Sequence, residues 1–212
     1  MFCGAGMGVL EEGQIEALTQ DGWFTQENFL PAALCESLLD NFQNLKISGQ
    51  LRQAAIGRAG GRVLAQDIRT DQTFWLDGES PAQGEMLSLM EGLRQQLNRE
   101  LFLGLSSYEA HFACYQAGGF YKKHLDSFKG QRNRIVSTVL YLTSGWQEND
   151  RGHLVIYDSV DQEKEIVRVL PRAGTLVCFM SEDMAHEVLP PVRERVSIAG
   201  WFRTTGSDIV NL

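Results

Sequence analysis

The sequence is poor in cysteine, proline and histidine, and it has no long apolar run. Its 212 residues include 4 Cys, 5 Pro and 4 His, and the four cysteines, including Cys3 and Cys35, form no CxxC pair. This scatter excludes a disulfide scaffold, argues against a zinc finger, and predicts reduced, buried thiols at Cys114 and Cys178. No stretch approaches the roughly 18 uninterrupted apolar residues of a transmembrane helix.

Positive charge is absent from the first part of the chain. Residues 1–45 contain no Lys or Arg, so the N-terminus lacks the basic start of a secretory signal, and we expect a cytoplasmic protein with no membrane partner. The whole chain has 19 Lys and Arg against 27 Asp and Glu, a net charge of -8. We do not expect nucleic-acid binding, because it requires clustered positive charge.

Two kinds of apolar periodicity divide the chain. Spacings of three and four predict a short helix that ends near Asp21, a second helix that begins at Pro31, and a third over 82–101, with a strand over 23–30 between the first two. From about residue 107 the spacing changes to two, which predicts strands over 108–115, 134–142, 153–158, 165–170, 175–180 and 195–202. This order favours an α+β fold, in which a double-stranded β-helix (jelly roll) core carries N-terminal helices packed on one sheet. We expect a single domain over 1–212, with a helical support in 1–106 and the jelly-roll core in 107–204.

A basic, glycine-rich segment separates the two parts. Residues 46–66 contain four glycines, no acidic residue, and the cations Lys46, Arg52, Arg58 and Arg62. The segment is either a solvated surface loop or a flap beside a functional site, since charged loops with glycine often cover such sites.

A pair of histidines and a carboxylate suggests a metal site. His124 and Asp126 are two positions apart, and in an extended segment such residues point to the same face. His186 follows the predicted strand 175–180. Two imidazoles and one carboxylate form the facial triad of non-haem Fe(II) oxygenases, which leaves metal positions open for substrate and O2. The HxD pattern alone arises often by chance, but a distant histidine in a jelly-roll-like sequence strengthens it.

The strand that begins at Arg195 supports this reading. Strict alternation along 195–202 places on one face Arg195, Ser197, Ala199 and Trp201. A buried guanidinium requires an anion, and its planar fork matches a carboxylate. A small dicarboxylate such as 2-oxoglutarate fits, with one end on iron and the other on Arg195. The alternative is an exposed cation at a strand edge.

These residues resemble a known family. HLD at 124–126, His186 and the run from Arg195 to Ser197 are similar to the Fe(II)/2-oxoglutarate-dependent dioxygenases of the prolyl 4-hydroxylase type, and among them to the hypoxia-inducible-factor prolyl hydroxylases and their bacterial relatives. The resemblance extends from Asp67 to Arg203. It includes IRTDQTFWLDG (68–78), ACYQAGGFYKKHLD (113–126), VLYLTSGW (139–146), GHLVIY (152–157) and HEVLPPVRERVSIAGWF (186–202).

The resemblance implies a role for each matching residue. Fe(II) is held by His124, Asp126 and His186, and the distal carboxylate of 2-oxoglutarate pairs with Arg195. Tyr141 donates a hydrogen bond to the same carboxylate, Tyr115 and Ser197 lie near it, and Trp201 closes the metal site. Tyr121 stands at the mouth of the site, and Arg58 and Arg62 belong to the loop that covers the substrate. Asp71 and Arg134 match a steadying ion pair.

Two histidines lie outside this pattern. The family commonly has glycine where this chain has His153, which we expect in a surface turn and not on the metal. His111, on the predicted strand 108–115, is expected to be a packed structural residue.

The implied activity is hydroxylation of a proline at its 4-position in a protein substrate. O2 is consumed, succinate and CO2 are released, and ascorbate serves as an auxiliary reductant. The bacterial relatives make elongation factor Tu an expected target. Three alternatives stay open: nucleic-acid demethylation, which expects a second arginine where Trp201 stands; hydroxylation of another residue type; and a non-catalytic metal-binding jelly roll that acts as a sensor.

Overall fold

The helices of the computed structural model lie where the apolar periodicity predicts them. The structure describes residues 9–54, 66–127 and 133–205, and within them three α-helices: α1 (Glu12–Gln20), α2 (Ala32–Ile47) and α3 (Pro81–Leu101). Pro31 occupies the position just before the first helical residue of α2. Helix α3 begins with Pro81 after Ser80, whose side chain accepts a hydrogen bond from the Gln83 amide at 3.1 Å, an arrangement that caps a helix start.

Eleven strands of the described chain form two sheets. They are β1 (Trp23–Gln26), β2 (Arg52–Gln53), β3 (Gln72–Trp75), β4 (Ser107–Tyr115), β5 (Tyr121–His124), β6 (Arg134–Tyr141), β7 (Leu154–Tyr157), β8 (Glu165–Val169), β9 (Leu176–Met180), β10 (His186–Val188) and β11 (Arg195–Arg203). The major sheet has the order β1-β9-β6-β11-β4-β3-β2, and the minor sheet has the order β5-β10-β7-β8. Every described pair is antiparallel. The predicted α+β jelly roll is confirmed.

The helices cover one face of the major sheet and leave the other face to the minor sheet. Phe42 of α2 packs against Phe112 of β4, with ring centroids 5.6 Å apart, and burial of one such side chain contributes about 1.5–3 kcal/mol. Ile198 and Phe202 of β11 belong to this helix-side core. A second apolar cluster lies between the two sheets and includes Phe179. The site is therefore built on the face that the helices leave free.

The sequence missed four short strands and misplaced one loop. Strands β2 and β10 have 2 and 3 residues, too few for a periodic signal, and β3 (QTFW) and β5 (YKKH) lack apolar alternation. Strand β1 ends before Asn28, which adopts a left-handed backbone with φ 55. The flap expected over 46–66 begins too early, because Lys46 lies in α2, where it ion-pairs with Glu194, and Arg52 lies in β2. The expected substrate contacts Arg58 and Arg62 lie outside the described residues.

The described cysteines lie in the interior of the protein. Cys114 and Cys178, like Cys35, are buried and carry free thiols, as predicted, while Cys3 lies outside the described residues. Among the described helices, none has the length and apolar character needed to span a membrane.

Candidate active site

Two neighbouring strands of the minor sheet bring the two histidines of the predicted triad together. His124 ends β5, His186 begins β10, and the two residues are direct partners in the antiparallel register. Their ring centroids are 4.2 Å apart. Asp126 follows β5, with Oδ1 3.5 Å from His124 Nε2 and Oδ2 3.6 Å from His186 Nε2. All three residues offer ligand atoms within 4.8 Å of one another, so the structure forms the cluster that the HxD spacing predicts.

The hydrogen bonds of the triad leave it ready to bind a cation. His124 Nδ1 lies 2.8 Å from the Lys122 carbonyl and His186 Nδ1 lies 3.1 Å from the Met184 carbonyl. A carbonyl only accepts, so each Nδ1 is a protonated nitrogen, and in a neutral imidazole this leaves the lone pair on Nε2, the atom that faces Asp126. Burial lowers the pKa of His186 to about 4. Burial opposes ionisation of Asp126, while the hydrogen bond from the Ser137 hydroxyl favours the carboxylate and lowers its pKa.

Arg195, at the start of β11, is a buried cation without an anion. It is 1% exposed, and its one hydrogen bond to a described side chain runs from Nη1 to Ser197 Oγ at 3.3 Å. Within the described residues, its Nε and Nη2 atoms have no hydrogen-bond partner, and the buried hydroxyl of Tyr141 has none either. The guanidinium carbon lies 5.0 Å from the Tyr141 ring centroid and 5.2 Å from that of Tyr115. No carboxylate of the described chain forms an ion pair with Arg195, so the fold leaves this charge for a ligand.

One cavity of about 460 Å³ between the two sheets connects the triad with Arg195. Of the residues predicted for the site, those that line it are His124, Asp126, His186, Arg195, Tyr115, Tyr121, Ser197 and Trp201. Tyr141 is fully buried beside Arg195. The cavity thus offers three ligands for Fe(II) and a separate, unpaired arginine with a neighbouring hydroxyl for a carboxylate. This donor set fits Fe(II) together with a dicarboxylate such as 2-oxoglutarate.

Gly152 makes room for Arg195. Its φ of +70 lies in the left-handed region, and a Cβ at this position would lie 2.9 Å from Pro191 Cβ and 3.3 Å from Arg195 Cδ. A side chain at this position would therefore clash with Pro191 and press against Arg195. The next residue, His153, contacts Glu148, with Nε2 3.1 Å from Oε1, and it does not line the cavity.

Tyr121 lies against the imidazole of His124. Its ring is stacked on His124 with centroids 3.6 Å apart and 15° between the planes, and the guanidinium carbon of Arg69 lies 4.2 Å from the Tyr121 centroid. Arg69 is fixed by two hydrogen bonds to the buried Asp71, of 2.8 and 2.6 Å. The stack limits rotation of the His124 ring.

The predicted ion pair between Asp71 and Arg134 is wrong. Asp71 pairs with Arg69, which is two positions away on the same segment. Arg134 instead pairs with Glu109, 2.8 Å away, and Glu109 also binds Arg203 at 2.8 Å. Because β11 lies between β4 and β6, the Glu109 carboxylate lies within reach of both arginines.

Arg134 and His111 both contact the aromatic wall of the cavity. The Arg134 guanidinium carbon lies 3.7 Å from the Trp201 ring centroid. His111 is buried, with its ring centroid 5.0 Å from that of Trp75 and 5.4 Å from that of Trp201. Burial lowers its pKa to about 4. His111 is therefore packed, as expected from the sequence, but it also lines the cavity.

Two serines near the triad were missed by the sequence reasoning. Ser137 Oγ donates to Asp126 Oδ2 at 2.7 Å, and it lies 2.8 Å from Ser181 Oγ. Alternation along the predicted strand 134–142 could have indicated Ser137, because it is a polar residue on the same face as Val139 and Tyr141.

Comparisons with known proteins agree with this geometry. The model of the 2OG-Fe(II) oxygenase superfamily matches residues 110–203. A prolyl-4-hydroxylase from Pseudomonas putida is 41% identical, with a TM-score of 0.81 over 92% of this chain and 98% of that one. A prolyl hydroxylase from Trichoplax adhaerens, solved with a hypoxia inducible factor oxygen degradation domain peptide fragment, is 26% identical, with a TM-score of 0.79 over 90% of this chain and 87% of that one. A hypoxia-inducible factor prolyl hydroxylase from Caenorhabditis elegans is 27% identical over 91% of this chain, which spans 28% of that protein.

Proposed function

Because the chain belongs to the prolyl hydroxylases of the 2OG-Fe(II) oxygenase superfamily, we propose that this Fe(II)- and 2-oxoglutarate-dependent dioxygenase hydroxylates a proline, at its 4-position, in a protein substrate. The observation that carries the chemistry is the buried, anion-free Arg195 in the same cavity as the His124, Asp126 and His186 cluster. Proline is proposed as the target residue because the relatives are prolyl hydroxylases.

Each group of the site has a distinct task in this proposal. Fe(II), with 2-oxoglutarate and O2, supplies the oxidation in which one oxygen atom enters a substrate C–H bond and the other enters succinate as CO2 leaves. His124, Asp126 and His186 hold the metal through ligand atoms that lie within 4.8 Å of one another. Arg195 and the Tyr141 hydroxyl bind the distal carboxylate of 2-oxoglutarate, and Ser197 fixes one arm of the guanidinium.

The walls of the cavity orient the substrate and exclude water. Trp201 is buried, with an indole N–H that has no partner in the described part of the chain, and Tyr121 covers one face of His124. A dry, low-dielectric site strengthens the ion pair between Arg195 and a carboxylate, because bulk water no longer competes for it.

A second cavity extends the site toward the edge of the major sheet. It has a volume of about 410 Å³ and shares Arg69, Trp75 and His111 with the first cavity. Arg52 also lines it, and no acidic residue of the described chain does. Trp75 is 42% exposed at the junction. This surface suits an extended protein segment that carries acidic residues beside the target proline.

Four finer points of the proposal rest on the resemblance and on the charge pattern. Elongation factor Tu is the first protein to test as a substrate, ascorbate is proposed as the auxiliary reductant, the protein is proposed to act in the cytoplasm, and no nucleic-acid partner is proposed.

Mass spectrometry of hydroxylated protein tests the proposal. Purified enzyme with Fe(II), 2-oxoglutarate and isotopically labelled O2 is incubated with elongation factor Tu and, separately, with cell extract. We expect one labelled oxygen atom on a proline, and none with the His124→Ala variant. Label on another residue type would support the alternative hydroxylase. Absence of both label and succinate in every substrate mixture would support the non-catalytic sensor.

A further inference from the structure

The Asp126 carboxylate is held by a chain of two buried hydroxyls. Ser137 Oγ donates to Asp126 Oδ2 at 2.7 Å, and Ser181 Oγ lies 2.8 Å behind Ser137 Oγ. Ser137 is 1% exposed and Ser181 is 0% exposed. Both hydroxyls are thus shielded from solvent, so water does not compete for these hydrogen bonds.

The direction of both hydrogen bonds is fixed by proton counting. An ionised carboxylate only accepts, so the single hydroxyl proton of Ser137 is committed to Asp126. In the contact between the two serines, Ser181 must then be the donor. A hydroxyl that donates to a carboxylate forms a charge-assisted bond, and a second donor behind it polarises the first. The chain runs from Ser181 through Ser137 to Asp126.

Asp126 needs such support because no strand holds it. His124 and His186 are fixed by the pairing of β5 with β10, whereas Asp126 lies beyond the end of β5. Ser137 belongs to β6 in the centre of the major sheet, paired with Phe179 of β9.

Ser181 is itself fixed by the main chain. Its N–H donates to the Ile135 carbonyl at 3.0 Å, and its carbonyl accepts from the Ser127 N–H at 3.3 Å. The hydroxyl chain therefore connects the loop that carries Asp126 to the rigid major sheet.

We propose that Ser137 and Ser181 are positioning residues that fix the Asp126 carboxylate in the orientation in which it binds Fe(II). The inference rests on the proposed role of Asp126 as a ligand, and it concerns neighbours of the ligand and not the ligand itself. Loss of such outer contacts typically weakens metal binding about 10–100-fold.

Anaerobic calorimetric titration of the apoprotein with Fe(II) alone tests this inference. We expect Ser137→Ala to raise the Kd for Fe(II) at least about 10-fold, Ser181→Ala to raise it less, and Ser137→Thr, which keeps the hydroxyl, to stay near wild type. Thr138→Val is the matched control. It removes the adjacent buried hydroxyl, which bonds to the Tyr108 hydroxyl at 2.8 Å, and it should lower thermal stability without changing the Kd for Fe(II).

The outcomes separate this inference from the metal assignment. A wild-type Kd in Ser137→Ala, or a Kd in Ser137→Thr as high as in Ser137→Ala, overturns the positioning role. If Asp126→Ala also binds Fe(II) like wild type, the ligand assignment fails first. If Ser137→Ala does not fold, Ser181→Ala decides, because it removes the donor behind Ser137 and therefore breaks the proposed chain, and an unchanged Kd for Fe(II) then overturns the inference.

Discussion

Replacing Arg195 by methionine tests whether its guanidinium serves to bind a ligand or to stabilise the fold. Arg195 is 1% exposed, and no described residue bonds to its Nε and Nη2 atoms. Methionine has a similar length and removes both the charge and the unpaired donors. Because apolar residues of similar volume often replace buried charges at no loss of stability, we expect the apoprotein variant to unfold at the wild-type temperature or above it.

The expected loss of affinity for 2-oxoglutarate follows from the number of unpaired donor nitrogens on Arg195. Two unpaired N–H groups of a cation are available to the distal carboxylate, and each hydrogen bond to a charged group contributes about 1.5–3 kcal/mol. The loss is therefore at least about 3 kcal/mol, which raises the Kd for 2-oxoglutarate more than about 100-fold.

Thermal unfolding with and without 2-oxoglutarate measures both effects. Mn(II) replaces Fe(II) so that no turnover occurs. A ligand at 100 times its Kd stabilises a protein by about 2.7 kcal/mol, so wild type should show a clear increase in Tm, and Arg195→Met should show almost none at the same concentration. Arg168→Met is the matched control, because Arg168 is an exposed arginine paired with Glu165 on β8.

Two results would refute this reasoning. A large decrease in the Tm of the Arg195→Met apoprotein would show that the guanidinium supports the fold. An increase in Tm with 2-oxoglutarate equal to that of wild type would show that the carboxylate binds elsewhere.

Three further predictions concern the hydroxyl, the buried imidazole and the substrate side. Tyr141→Phe removes one neutral hydrogen-bond donor and should raise the Kd for 2-oxoglutarate about 5–10-fold. The Kd for Fe(II) should stay unchanged, and calorimetry measures both constants. Equal effects on the two ligands would contradict the role assigned to the Tyr141 hydroxyl. Burial lowers the pKa of His111 from 6.5 to about 4. Because the unfolded chain therefore protonates this imidazole more readily than the folded chain does, the contribution of neutral His111 to folding stability is present above pH 6.5 and is lost as the pH falls toward 4. His111→Met should flatten that loss by up to about 3 kcal/mol in urea unfolding, and an unchanged pH dependence would contradict the buried neutral state. Trp75→Ala should raise the KM for the protein substrate severalfold and leave the KM for 2-oxoglutarate unchanged in succinate-release assays, whereas a change in both would place Trp75 in the cosubstrate site.

The sequence was sufficient for the residues whose neighbours along the chain determine their position. Alternation in β11 placed Arg195, Ser197 and Trp201 on one face, and the structure puts all three on one cavity. Ion pairs between residues that are distant in the sequence could not be predicted in this way. Glu109 contacts Arg134 only because β4 and β6 flank β11, and no local pattern encodes that arrangement.

Short elements and side-chain networks were also beyond the sequence. Strand β10 contains only His186–Val188, so its pairing with β5, which joins the two histidines, has no periodic signal. The contact between Ser137 and Ser181 joins β6 to the end of β9, and a lone serine on a strand does not indicate its partner.

The division of β11 between two environments has a consequence for protein engineering. Val196, Ile198 and Phe202 pack toward the helices, while Arg195, Ser197, Ala199 and Trp201 line the cavity. A combinatorial library restricted to the cavity-lining positions would therefore vary cosubstrate and substrate selection on an unchanged hydrophobic core. Ala199 is the natural first position to diversify, because it lines the cavity without taking part in any of the hydrogen bonds described for the site.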